Sequence, residues 1–251
     1  MSPINWLSYF KWNRAHRSTI AWQPTLELAP HLRAPLIRSL QKFQVGESGE
    51  GRHLREHAAK TGDANYAAAI ELFIKEEQEH ARVMACILSR LNAPLLEGHW
   101  SNRSFILMRR LFGLHQELMV LLLPEMIAKR YFRALHDGST DPVLKAVFAQ
   151  ICHDEDGHVA FHIDYLHQAF KHLSLPTRAA ARCLWRILFR GACLVVILDH
   201  GRVLRAMGVS AAEFWWDTGL IFDETAAGIF SYSSKDTITE NLFGRTPGEA
   251  K

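Results

Sequence analysis

The chain has 251 residues, of which 48% are hydrophobic and 22% charged, and a net charge of +3 with its 14 histidines counted neutral. That is enough chain for one large domain whose core needs neither disulfides nor a structural metal. No Lys/Arg cluster dominates any segment, so the mild basicity does not by itself indicate a nucleic-acid binder.

Residues 1–30 carry Trp6, Phe10, Trp12 and Trp22 among basic residues. They read as a short amphipathic extension that packs on the body rather than on a membrane surface. The opening stretch "MSPINWLSYFKWNRAHRS" has no apolar core or small-residue cleavage site, and no signal peptide is expected. From about residue 31 the apolar positions recur at steps of three and four, the period of helices. Breaks at "KTGD", "NAP", "HDGST", "SLP" and "MGV" delimit four long helices near 31–60, 63–91, 103–136 and 141–173, then two more near 177–206 and 210–230. Asp63 and Asp141 are candidate N-caps, Pro142 suits a first helical position, and Ser210 with Glu213 forms a capping box. The tail 232–251 is polar and expected to be loose. The longest apolar run, "GACLVVIL" at 191–198, is far short of the ~20 residues a membrane-spanning helix needs. Cys86, Cys152, Cys183 and Cys193 show no zinc spacing and read as reduced, partly buried thiols of a cytoplasmic protein.

Each of the four long helices has an apolar stripe, and each stripe is interrupted by acid. The second runs Ile70, Phe73, Glu77, His80, Met84. The third runs Leu114, Leu118, Leu121, Glu125, Ala128. The fourth runs Phe148, Ile151, Glu155, His158, His162, and the first runs Leu40, Phe43, Glu47, Glu50, Leu54. Four such helices with short connections predict a bundle. Carboxylates on a buried face must be neutralised or paired, and these stripes hold almost no Lys or Arg. A multivalent cation is the simplest solution. A Glu and a His three residues apart share a helix face one turn apart and can reach one metal.

The sequence holds three Glu-x-x-His pairs, Glu50/His53, Glu77/His80 and Glu155/His158, where composition alone gives about one. The first is read as a decoy, because His53 leaves its stripe. The other two are related by an internal repeat: a shift of 78 maps Glu47, Glu77 and His80 onto Glu125, Glu155 and His158. Glu117 is the other glutamate between 98 and 154. An acid also precedes each motif glutamate, Glu76 and Asp154.

On these six positions the chain resembles the ferritin-like di-iron carboxylate proteins over roughly residues 31–173. Their bundle carries a glutamate on each of two helices and a Glu-x-x-His on each of the other two. The resemblance implies an all-α chain: a single ferritin-like domain over 1–251, with a four-helix core at 31–173, an N-terminal extension at 1–30 and two additional C-terminal helices at 177–230. It implies metal ligation by Glu47, Glu77, His80, Glu125, Glu155 and His158. Glu77 and Glu155 would bridge the metals as the central catalytic carboxylates, and Asp154 and Glu76 would support histidines. His162 is read as a core histidine, with extra ligation as the alternative.

Mixed carboxylate and imidazole ligands suit Fe or Mn. The expected cofactor is therefore two iron ions, or a Mn/Fe pair, with O₂ as co-substrate. The expected function is a non-haem di-iron oxygenase or oxidase acting on a small, largely apolar substrate. Electrons would come from an external ferredoxin or reductase, since no flavin or nicotinamide motif is present. Two alternatives stay open, a ferroxidase or iron-storage protein and a tRNA-modifying hydroxylase. The C-terminal aromatics Trp185, Phe189, Trp215, Trp216 and Phe222 fit either a cap over a substrate channel or a homodimer interface. Pro124, beside Glu125, predicts a bend that opens room at the metals.

Overall fold

A computed structural model describes residues 4–23, 25–98 and 114–230. Among these residues every regular element is an α-helix. α1 spans Trp6–Ala15, α2 Pro30–Glu47, α3 Arg52–Lys60, α4 Ala64–Arg90, α5 Leu114–Gly138, α6 Pro142–Phe170, α7 Leu175–Ala206 and α8 Ala211–Phe230. The expected tail at 232–251 and the first part of the helix predicted over 103–136, up to residue 113, lie outside the described residues.

The helix starts follow the capping chemistry read from the sequence. Asp63 accepts from the backbone N–H of Asn65 and Tyr66, and Asp141 accepts from Leu144 with Pro142 at the first helical position. Ser210 and Glu213 bond each other reciprocally, at 2.8 and 3.1 Å. These contacts satisfy N–H groups that have no partner inside the helix.

One expectation needs correction. The helix predicted over 31–60 is two helices, α2 and α3, broken between Glu47 and Arg52. The stripe continues through the break in sequence, but Gly46, Gly49 and Gly51 each cost a helix about 1 kcal/mol relative to alanine. Gly51 adopts φ +65°, and a Cβ there would come within 2.6 Å of Ile74. The break leaves Glu50 exposed and sets Glu47 at the very end of α2.

A single apolar cluster runs through α2 to α8, with Phe73, Tyr131, Phe132, Phe148 and Trp185 fully buried. α1 joins it as expected: Phe10 is buried, and the Trp6 indole donates to Asp164 at 2.8 Å. Trp12 instead faces out, stacked on His16. Gly157 lets α1 lie this close, since a Cβ there would clash with the Tyr9 ring. The C-terminal aromatics divide. Trp185, Phe189 and Phe222 pack on one another in the core, Trp215 lies under the Arg190 guanidinium, and Trp216 is exposed. The four thiols are free; Cys152 and Cys193 are buried, while Cys183 is exposed. No helix among the described residues is long and apolar enough to cross a membrane.

Candidate metal centre

Helical period alone puts Glu77 and His80 on one face of α4, and Glu155 and His158 on one face of α6. The fold turns these faces toward each other and closes them with Glu47 from α2 and Glu125 from α5. All six predicted residues meet, in two groups. Glu77, Glu125, Glu155 and His158 offer ligand atoms within 4.8 Å of one another, and so do Glu47, Glu77 and His80. Glu77 belongs to both groups. Glu155 also spans them, with Oε1 at 3.6 Å from His80 Nδ1 and Oε2 at 3.9 Å from His158 Nδ1. His158 Nδ1 lies 3.0 Å from Glu77 Oε1 and 3.4 Å from Glu125 Oε2.

Five of the converging atoms are buried without an aligned hydrogen bond among the described residues: Glu77 Oε1, Glu125 Oε2, Glu155 Oε2 and the Nδ1 atoms of both histidines. Buried polar atoms in a folded protein nearly always have partners. Here the donor set itself, carboxylate oxygens and imidazole nitrogens, fits a hard or borderline divalent cation.

The electrostatics point the same way. Burial, followed by the charges of Glu125 and Glu77, holds the Glu155 carboxyl well above the usual carboxylate range. Burial and the adjacent Glu77 do the same to Glu47, and burial and Glu125 raise Glu77. Burial opposes a charged His158, yet the carboxylates of Glu125, Glu76 and Glu77 outweigh it and raise its pKa well above the ordinary value. With no cation bound, Glu47, Glu77 and Glu155 therefore hold protons more readily than free glutamates do. Glu47 sharpens the imbalance, because it ends α2, where the helix dipole already disfavours negative charge.

Behind the ligand atoms lies a reciprocal support. The acid preceding each motif glutamate reaches the histidine of the opposite helix: His80 Nε2 bonds Asp154 at 2.9 Å, and His158 Nε2 bonds Glu76 at 3.0 Å. Asp154 stays ionised even though burial opposes it, because His80 and Arg17 hold its pKa far below the usual range. Each histidine thus donates from Nε2 and presents Nδ1 to the centre, as metal-ligating imidazoles do when a carboxylate fixes their tautomer.

Sequence reasoning missed what joins these two supports. Asn13 of α1 donates to both Glu76 and Asp154, at 2.8 Å each, and Arg17 pairs with Asp154 and lies 3.9 Å from Glu76. The other glutamate considered, Glu117, is buried outside the centre, 2.5 Å from His57 Nδ1. His162 is buried with its ring edge on Phe73, and it joins neither ligand group.

A cavity of about 470 Å³ adjoins the centre. Glu47, Glu77, Glu125 and Glu155 line one part of it, and Pro124 lies on its wall. The remainder is mostly apolar, with Phe73 of α4, Ile127 and Ala128 of α5, and Ala192 and Val196 of α7. His200 also reaches the wall, its Nδ1 held 2.6 Å from Ser39 Oγ, which in turn meets the Tyr131 hydroxyl.

No protein-family model, no curated protein and no solved structure matches the chain.

Proposed function

We propose that this chain is a ferritin-like di-metal carboxylate enzyme that uses O₂ to oxidise a small, largely apolar substrate. The observation that carries the reading is the unpaired acidity of the centre. Four glutamates and two inward-facing imidazole nitrogens converge in the interior, and the two carboxylates that hold the histidines share Arg17. Glu47, Glu77, His80, Glu125, Glu155 and His158 would hold the metals, with Glu77 and Glu155 reaching both groups of ligand atoms. When bound, a pair of irons, or manganese with iron, supplies the electrons that activate O₂.

The chain's own residues divide the remaining tasks. Asp154 and Glu76 keep the imidazoles in one tautomer and orientation. Glu47, Glu77 and Glu155, whose carboxyls hold protons more readily than free glutamates, would have to release them for a cation to bind. The apolar wall formed by α5 and α7 excludes water and shapes the space beside the acids. That wall favours substrate oxidation over iron storage, which needs no such cavity. Electrons for turnover would come from a separate ferredoxin or reductase.

Anaerobic titration with Fe(II) tests the reading. About two ions should bind per chain, and Glu77→Ala should lose them with its helical circular dichroism kept. Binding of less than one ion per chain refutes the metal centre. Assembly into a large shell that loads hundreds of irons would instead establish storage, and salt-sensitive co-purification of tRNA would favour an RNA hydroxylase.

A further inference from the structure

α7 buries one side against the body and leaves the other apolar and bare. Leu184, Ile187, Leu188, Leu194 and Leu198 are 61, 64, 40, 51 and 76% exposed. With Gly191 between them, Leu184, Leu188, Leu194 and Leu198 follow steps of four, three, three and four, and Ile187 lies three beyond Leu184, so they form one stripe along the helix. Together they present several hundred Å² of apolar surface, the upper end of what a monomer carries without a partner.

Gly191 lies at the middle of this stripe. Glycine weakens a helix interior relative to alanine, and nothing among the described residues requires it: a Cβ at Gly191 would meet none of their atoms within 4 Å. Its sequence position is also a centre of symmetry. It falls midway between Leu184 and Leu198, and midway between Leu188 and Leu194.

We propose that the exposed face of α7 pairs with the same face of a second copy of this chain, antiparallel about a two-fold axis at Gly191. Leu184 then meets Leu198 of the second copy, Leu188 meets Leu194 of the second copy, and the two helix backbones approach closely where neither has a side chain. A two-fold interface must be self-complementary, and this stripe is. Joining two such faces buries about 1,000 Å², close to the minimum for a specific complex. The flanking charges do not select another occupant. Arg182 and Arg186 both turn to Asp223 on α8, and Arg190 donates to the Trp215 carbonyl at 2.6 Å and covers its ring. They are engaged within the chain rather than presented to an anionic lipid surface or an acidic partner.

The pairing completes the cavity. Leu188 and Gly191 are exposed and also line the cavity that reaches the four glutamates. The rim of that cavity therefore lies on the pairing face, and the second copy's α7 covers it. The mouth of the cavity, open on this face in the monomer, becomes covered in the dimer, which keeps water from an apolar substrate beside the acids. The pairing itself depends only on α7 and not on what the acids bind.

Light scattering on the 251-residue chain at micromolar concentration should give twice its 28.6 kDa mass. Leu194→Glu with Leu198→Glu should halve the mass with helical circular dichroism unchanged, whereas Leu220→Glu on α8 should leave the dimer intact. A second variant avoids reliance on charge insertion: Gly191→Cys, with Cys86 and Cys183 changed to serine, should cross-link two chains on mild oxidation, and Leu220→Cys in the same background should not. A wild-type chain that is monomeric, alone or with phosphatidylglycerol vesicles bound, overturns the proposal. So does a dimer that survives the double substitution and fails to cross-link through position 191. Iron stoichiometry, measured separately, reports on the metal centre and leaves this result unaffected.

Discussion

Replacing Glu155 by glutamine should make the metal-free protein more stable and the metal-treated protein less stable than wild type. Glu155 is 1% exposed, and Glu77 and Glu125 converge on it. Its folded-state pKa lies above the ordinary glutamate value of 4.5, chiefly through burial. The folded protein then keeps a proton that the unfolded chain has lost, so stability falls as pH rises from about 4.5 through the raised folded value. Each unit of that shift costs about 1.4 kcal/mol once the unfolded glutamate is ionised. Glutamine keeps the size, removes the titration, and can donate to Glu77 Oε1 or Glu125 Oε2, which have no aligned hydrogen bond. A gain on the order of 1–3 kcal/mol is expected near pH 8, shrinking to nothing below about pH 4.5. For a chain of this size that is a rise of roughly 3–10 °C in melting temperature. Metal reverses the order, since a ligand at one hundred times its dissociation constant stabilises wild type by about 2.7 kcal/mol. Thermal melts of chelator-treated and Mn(II)-treated protein across pH read all four states. A metal-free Glu155→Gln protein that melts below wild type near pH 8, or a wild type indifferent to Mn(II), would refute the account of the centre as an acid cluster awaiting a cation.

Two other substitutions test the surroundings of the centre. Asp154→Asn removes the charge that fixes His80 and should weaken Mn(II) binding about 10- to 100-fold by calorimetry, with Glu76→Gln doing the same through His158; unchanged affinity in both would show that the supports are incidental. Ala192→Phe projects a ring into the cavity and should weaken binding of an apolar naphthalene dye about tenfold while metal stoichiometry is kept; equal dye binding would place the apolar ligand elsewhere.

The six converging residues were legible because side chains that meet from long helices keep helical spacing in the sequence. Glu77/His80 and Glu155/His158 stand one turn apart on helices long enough to show a stripe, and the shift of 78 separates Glu125 from Glu117 as the partner of Glu47. Caps at Asp63, Asp141 and Ser210 were legible because they act on neighbours two or three residues away. The break after Glu47 was not. Apolar periodicity passes through it unbroken, and the conformational cost of three glycines within six residues outweighs the stripe. Asn13 and Arg17 were also hidden, since their partners lie 59 to 141 positions away and a lone Asn in a short basic helix carries no pattern. α7 misleads for a different reason. Both of its faces are apolar, so periodicity cannot tell the side packed on the cavity from the side left bare.

The hidden contacts change what the N-terminal segment does. α1 could be read as a patch of tryptophans covering the core, and Trp6 and Phe10 do cover it. Its polar residues do more. Glu76 and Asp154 sit on opposite helices, each holding the other helix's histidine, and two such buried acids repel one another. The Asn13 amide bonds both, and Arg17 supplies positive charge between them. Without α1 and Arg17 that repulsion would go uncompensated, and Asp154 would have to protonate or move away. A protonated Asp154 could no longer fix His80 as an Nε2 donor, and the Nδ1 atom would lose its orientation toward the centre. The repeat that builds the site from two like halves thus leaves a like-charge contact at its seam. The segment outside the repeat neutralises it.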